Sequence, residues 1–199
     1  MVTLRLEQLH RLADAMEAEW RPMIYLASTC GLRFAEVTGL RRGRIDVAGG
    51  SLSIIETAPQ RDGDRAEPKS RAGRRNVPLT SFVGDLLTAH LHAREGDPAD
   101  LAFTARHGGR IYAANWHRYV WTPARSAAGF PQPRFHDLRH SAVPLWIAMG
   151  ANLLQVSRWL GHSSVQITAD VYGHLFPETN DLVIQRLDEA LRTSRPNAE

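Results

Sequence analysis

The sequence predicts an α+β domain, mainly helical, with one small antiparallel three-stranded sheet. Three observations carry that prediction. Apolar residues recur at helical spacing in both the first and the last thirds of the chain. β-branched and apolar runs are confined to a short stretch after residue 43, and no regular strand–helix alternation follows to suggest a parallel sheet.

In chain order, Leu6, Leu9, Leu12, Ala13 and Met16 share one face and predict an amphipathic helix over 4–18. A more apolar helix over 21–30 ends at Gly31, and a short third helix runs from Phe34 to Leu40. Arg44–Val47, Ser51–Thr57 and Arg75–Leu79 read as the three strands. A long polar connection, Ala58–Gly73, joins the last two and carries Lys69. Thr80 is a suitable N-cap for a helix through His92. Leu101–Phe103 and Arg110–Tyr112, around His107-Gly108-Gly109, predict a second small hairpin. Helices are expected at 114–128, 137–149, 152–160, 163–171 and 178–193, with a kink at Pro144, which lacks an amide donor. The tail after Thr193 is expected to fray.

With 199 residues, 43% of them apolar and 23% charged, the chain suits one globular domain with its own core. No apolar run approaches the roughly 18 residues of a membrane span, and a signal-peptide pattern is missing from the sequence, so a cytoplasmic location is expected. A single cysteine, Cys30, excludes a disulfide framework and a cysteine-rich zinc site. Net charge is +3 and the pI is near 9.5, a weak indication of a polyanionic partner. Of the 24 basic residues, Lys69 is the one lysine and the rest are arginines. Such a bias toward arginine makes a surviving lysine notable as one required to be lysine; chance retention on a solvated loop is the alternative.

Four segments carry residues suited to chemistry: Thr29-Cys30-Gly31-Leu32-Arg33-Phe34-Ala35-Glu36, Pro68-Lys69-Ser70, His136-Asp137-Leu138-Arg139-His140, and Leu160-Gly161-His162 with Tyr172 ten residues on. Arg33 and Glu36 form either a plain helix-start ion pair or an arginine aimed into a cleft with its fork held by the carboxylate. His136 and Arg139 lie three apart, on one helical face, and can meet a single phosphate. His136 and His140 also have the i,i+4 spacing of a helical zinc site, but Asp137 replaces the usual glutamate and no third ligand follows at a familiar spacing. His162 stands at a turn. Tyr172 alone is an ordinary aromatic, and Tyr25, Tyr112 and Tyr119 are read as packing residues.

In this order, the segments resemble the catalytic domain of the tyrosine recombinases, the phage integrase family, over about Leu4 to Leu191. The flanks are similar too: Ala72-Gly73-Arg74-Arg75-Asn76-Val77-Pro78-Leu79 and Val171-Tyr172-Gly173-His174-Leu175-Phe176. The resemblance implies a reaction on double-stranded DNA without cofactor or metal. Tyr172 would attack a phosphodiester to give a 3′-phosphotyrosyl enzyme and a free 5′-hydroxyl. Arg33 and Arg139 would carry the charge of the transition state, each contributing on the order of 4 kcal/mol before desolvation. Lys69 would protonate the departing 5′-oxygen, which an arginine cannot do. His136 and His162 would donate or shuttle protons, and Glu36 would orient Arg33. The family also implies a homotetramer on DNA with a monomer in isolation, a nucleoid location when bound, and a C-terminal helix, 178–199, that packs either in trans or on its own domain. The upstream core-binding domain usual in the family is expected to be absent. The competing readings are a catalytically silent DNA-binding relic and a zinc hydrolase built on His136 and His140.

Overall fold

The computed structural model describes residues 2–58, 73–176 and 180–193. Leu6–Asp14 (α1) and Arg21–Ser28 (α2) pack against each other, and α2 is buried from Pro22 to Ser28. Pro22 sits in its first turn, where the missing amide costs nothing. Both helices stop earlier than the spacing predicts, α1 at a turn through residues 15–16 and α2 ahead of Thr29. Phe34–Thr38 (α3) follows immediately.

Ile45–Asp46 (β1), Ser51–Ile54 (β2) and Arg75–Pro78 (β3) form the expected antiparallel sheet in the order β1-β2-β3. Leu52 lies opposite Val77 and Ile54 opposite Arg75, so Leu52, Ile54 and Val77 enter the core while Ser53 faces outward to bond Asn76. Ser81–His92 (α4) starts at the expected cap, where Thr80 Oγ1 accepts from the Val83 amide at 3.4 Å.

The second hairpin does not form. Its first arm pairs elsewhere: Leu101 bridges Arg41, the Ala102 amide donates to Leu40 and the Arg42 amide donates to Asp100. Gly108 and Gly109, both at positive φ, instead close a local turn in which the Ala105 amide donates to Gly109. Backbone groups satisfied by the α3–β1 connection have no need of a hairpin partner. Tyr112 and Tyr119 are also corrected: both are exposed, lying under the guanidinium groups of Arg110 and Arg118, while Tyr25 alone of the three is buried.

Ala113–Trp116 (α5), a π-helical turn at His117–Trp121 and Thr122–Ala127 (α6) run on continuously. Trp116 and Trp121 from this stretch stack 6.1 Å apart, and Phe135 meets both edge-on. Phe135–Ala148 (α7), Leu153–Leu160 (α8) and Val165–Tyr172 (α9) complete the body, followed by a short 3₁₀ turn, Gly173–Leu175, and by Asn180–Thr193 (α10). α7 packs on α2 and runs helical through Pro144, whose ring nitrogen cannot supply the amide that the His140 carbonyl would otherwise receive.

The core divides in two. The larger part gathers α1–α4, the sheet and Trp20, Trp116 and Trp121; the smaller is Val143, Val156, Leu160 and Tyr172, edged by Trp146, Ile147, Ala151 and Phe176. The candidate site residues lie on or beside α3, α7, α8 and α9, helices that supply side chains to one part or the other.

Candidate functional site

The site begins at a turn that only glycine makes easily. Gly31 has φ +67°, and a β-carbon there would lie 2.6 Å from the Trp146 ring of α7. That close approach lets the Trp146 indole donate to the Thr29 carbonyl at 2.8 Å and ties the α2–α3 corner to α7. Arg33, the N-cap of α3, is thereby presented at the surface, its side chain 41% exposed.

Glu36 lies one turn on and is 2% exposed. Its Oε2 accepts from the Arg33 amide at 2.8 Å and its Oε1 from Arg33 Nη1 at 3.0 Å. It also takes both Nη groups of Arg75 at 3.0 Å each, and its Oε2 stands 3.9 Å from Arg139 Nη1. Burial alone would raise its pKa, yet the hydrogen bonds and charge of Arg75, the charge of Arg139 and the Arg33 amide outweigh this and hold it at about 2. Glu36 is therefore an anionic hub for three arginines, where the sequence suggested one.

Arg139 is 3% exposed. Its Nη1 donates to the Gly31 carbonyl and its Nη2 to Leu160 O at 2.5 Å, so it joins the turn before α3 to the C-terminus of α8. Desolvation first, then the nearby charge of Arg33, pushes its pKa down to about 9, which leaves it a cation at neutral pH. A buried cation among cations is one that an entering anion would stabilise.

Gly161 ends α8 in the left-handed conformation, φ 66°, and turns the chain so that His162 follows directly. His162 Nδ1 is 2.9 Å from the hydroxyl of buried Thr168. Burial, then the charges of Arg139, Arg33 and Arg75, lowers its pKa to about 4, so it is neutral at pH 7. His136 is lowered for similar reasons, burial first and then Arg139 and Arg33.

Tyr172, the last residue of α9, is 3% exposed and packs in the smaller core. Its hydroxyl lies 2.6 Å from His140 Nδ1, and His140 meets the His136 ring edge-on at 4.8 Å. Burial raises the phenol pKa while Arg139 and Arg33 act to lower it, so both arginines act electrostatically on this oxygen. Thus Arg33, Glu36, His136, Arg139, His162 and Tyr172 come together from three helices, α3, α7 and α9, and the turn after α8. Lys69 lies outside the described residues.

Three participants are not assigned by sequence reasoning. Arg75 is visible there only as part of a flank; its Nε donates to Trp159 O at 2.6 Å, bracing β3 against α8, and its neighbour Arg74 offers the same chemistry at the level of sequence. Thr168 carries no sequence signal. His140 is weighed only as a zinc ligand, although its place directly after Arg139, one turn from His136, is a usable signal. Its Nδ1 is engaged by Tyr172, and no group of three or more His, Cys, Asp or Glu suited to a metal occurs among the described residues.

Known proteins place the chain as a whole. The chain is 32% identical over 178 residues to the tyrosine recombinase XerC of Corynebacterium efficiens, spanning 88% of this chain and 50% of that one. It is 28% identical over 180 residues to the ICEBs1 integrase of Bacillus subtilis, with 83% and 48% covered. The chain thus spans about half the length of the curated relatives it matches. Among solved structures, the Tn1549 transposon integrase in complex with circular intermediate DNA superposes with TM-score 0.75 at 18% identity, over 95% of this chain and 67% of that one, a likeness of fold. The XerH site-specific recombinase bound to its difH substrate, in a post-cleavage complex, gives TM-score 0.64 at 25% identity, with 96% and 52% covered. The model of the phage integrase family matches residues 3–179, and on that match, which takes in every residue of the cluster, the chain belongs to the phage integrase family.

Proposed function

We propose that this chain is the catalytic portion of a site-specific DNA recombinase, cleaving and rejoining strands of double-stranded DNA through a 3′-phosphotyrosyl intermediate on Tyr172. The observation that carries the reading is the convergence of the buried Tyr172 hydroxyl with Arg139 of α7 and with Arg33, which lies more than a hundred residues upstream of both. A pentacovalent phosphorus needs a nucleophile and fixed cations on its non-bridging oxygens, and this cluster supplies both. Arg33, the exposed member, would meet the phosphate first. Arg139, already desolvated, needs little further reorganisation. Glu36 holds the fork of Arg33 while the Gly31 and Leu160 carbonyls hold that of Arg139; His136 and His162 face the phosphate as neutral donors or proton shuttles, and Lys69 is the acid for the 5′-oxygen. The XerH and Tn1549 structures, both with DNA, support a DNA partner.

The finer readings rest on family resemblance: a homotetramer on DNA, a monomer in isolation, no cofactor, no membrane partner and a bacterial cytoplasmic setting. No helix of the described residues is long and apolar enough to cross a membrane. Ile184, Leu187 and Leu191 of α10 are exposed, which favours packing in trans over folding back on the same domain. Light scattering of the chain on DNA, with and without residues 178–199, tests that choice.

Tyr172→Phe tests the central reading. Wild-type protein on a nicked suicide DNA substrate is expected to form a denaturant-stable protein–DNA adduct, and the variant to form none while still binding DNA. Adducts that persist in the variant would remove Tyr172 as nucleophile. Binding without any wild-type adduct would leave the DNA-binding relic.

A further inference from the structure

A tyrosine that attacks phosphorus must lose its proton, and among the described residues none of those assigned so far is hydrogen-bonded to its hydroxyl. His162 Nδ1 is taken by the Thr168 hydroxyl. Among the described residues, the partner of the Tyr172 hydroxyl is His140, at 2.6 Å from Nδ1 with the two rings 6.0 Å apart. We infer that His140 Nδ1 accepts the Tyr172 hydroxyl proton as that oxygen attacks the scissile phosphate, which makes His140 a further catalytic residue of the strand-cleavage reaction. The inference rests on the strand-cleavage reading above.

The direction of the hydrogen bond follows from what surrounds the pair. On α7 and at its start, His140 is faced by His136, Arg139 and Arg134, which oppose a positive charge, and by Asp137, which favours one; from the segment after α7 come Tyr172 and His162. Burial and then His136 keep the imidazole neutral in the free protein, while burial of Tyr172 keeps its phenol protonated. A neutral imidazole has one N–H and one lone pair. A phenol gives its proton to a hydrogen bond far more readily than it lends its delocalised lone pair. Tyr172 therefore donates to Nδ1, and the histidine hydrogen sits on Nε2.

In cleavage, the Tyr172 oxygen–phosphorus bond forms as the phosphorus–5′-oxygen bond breaks. The phenolic proton passes to His140 Nδ1, and the 5′-oxygen takes its proton from Lys69. Rejoining runs each transfer backward, the His140 imidazolium returning its proton to the departing tyrosinate. An anionic phosphate seated among Arg33, Arg139 and the histidines offsets the cations that disfavour a charged His140. Its basicity therefore rises when substrate is bound.

His140→Gln keeps an acceptor but cannot take up a proton. Single-turnover adduct formation by the variant is expected to fall by roughly 10²–10⁴-fold, and its pH profile to lose the decline at low pH that wild type shows as His140 protonates. His136, His162 and Asp137 remain in both proteins, so a decline that disappears with His140 belongs to it. The loss should persist on a substrate with a bridging 5′-sulfur, which leaves without a proton, whereas a Lys69→Ala defect should be rescued there. Wild-type rates with an unchanged low-pH decline in His140→Gln would overturn the inference, as would faster cleavage by His140→Ala, the sign of a latch holding Tyr172 back. Nitrogen-15 NMR of the wild-type imidazole gives a reading independent of any variant's folding. An unprotonated Nδ1 supports the transfer, and an Nδ1–H at neutral pH would overturn it. Absence of wild-type adducts would defeat the strand-cleavage reading and this inference together; wild-type adducts with His140→Gln unaffected would defeat this inference alone.

Discussion

Glu36 is the residue on which the charge balance of the site turns. Among the described residues it is the carboxylate that meets Arg33, Arg75 and Arg139, two of which are buried. Its folded pKa of about 2 lies below the ordinary 4.5, so the stability it contributes is fully present above pH 4.5 and is lost as pH falls toward 2. Glu36→Gln is expected to destabilise the protein at pH 7 by on the order of 3 kcal/mol, because buried guanidinium groups lose their counter-charge. The gap in urea midpoint between wild type and variant should shrink between pH 4.5 and pH 2.5; a gap constant with pH would contradict the pairing. At this scale the sequence is legible where a residue type is required by its chemistry. Arg33, Glu36, His136, Arg139, His162 and Tyr172 are each named from short segments, and the structure brings them together. Arg75 and Thr168 are not legible, because their roles are set by contacts with elements far along the chain, Glu36 and Trp159 for one and His162 for the other.

Between residues and molecule stand the turns that aim these side chains. Gly31 and Gly161, at φ +67° and +66°, each end a helix and deliver an arginine or a histidine one or two residues later. Gly31→Ala forces a β-carbon to within 2.6 Å of Trp146 and holds alanine in a left-handed conformation, itself a cost of about 1–2 kcal/mol. The variant is expected to melt several degrees lower and to lose adduct formation, with the Trp146 fluorescence environment changed. A Gly31→Ala protein with wild-type melting temperature and cleavage would show that the turn does not position Arg33. Helix order was readable from apolar spacing and caps such as Thr80 because both are local. The expected second hairpin does not form because Leu101 and the Arg41–Arg42 segment meet only in three dimensions, and tertiary pairing overrides a plausible turn signal. Pro144 interrupts one hydrogen bond without ending α7, since packing on α2 and the smaller core holds the helix on both sides of it.

For the molecule as a whole, arginine is the dominant cation and net charge is only +3, so DNA affinity is expected to come from local phosphate contacts rather than from overall charge. With about four phosphates neutralised, affinity should fall on the order of 10²-fold between 50 and 200 mM salt; an affinity insensitive to salt would argue against a phosphate-binding face. The fold class and the sheet are legible together, and the candidate site with them, because the family pattern runs through nearly the whole chain, from residue 3 to residue 179 in the matching model. Assembly is not legible in the same way, since α10 exposes Ile184, Leu187 and Leu191 without specifying what covers them.

The most direct measurement is to map the covalent DNA adduct by peptide mass spectrometry. Cleavage after arginine releases Trp159–Arg186, a peptide in which Tyr172 is the sole tyrosine. The expected result is a nucleotide mass joined to this peptide through a 3′-phosphate on Tyr172, formed without added metal and absent from Tyr172→Phe. A nucleotide mass on any other residue, or cleavage that leaves no covalent protein–DNA species, would contradict the account.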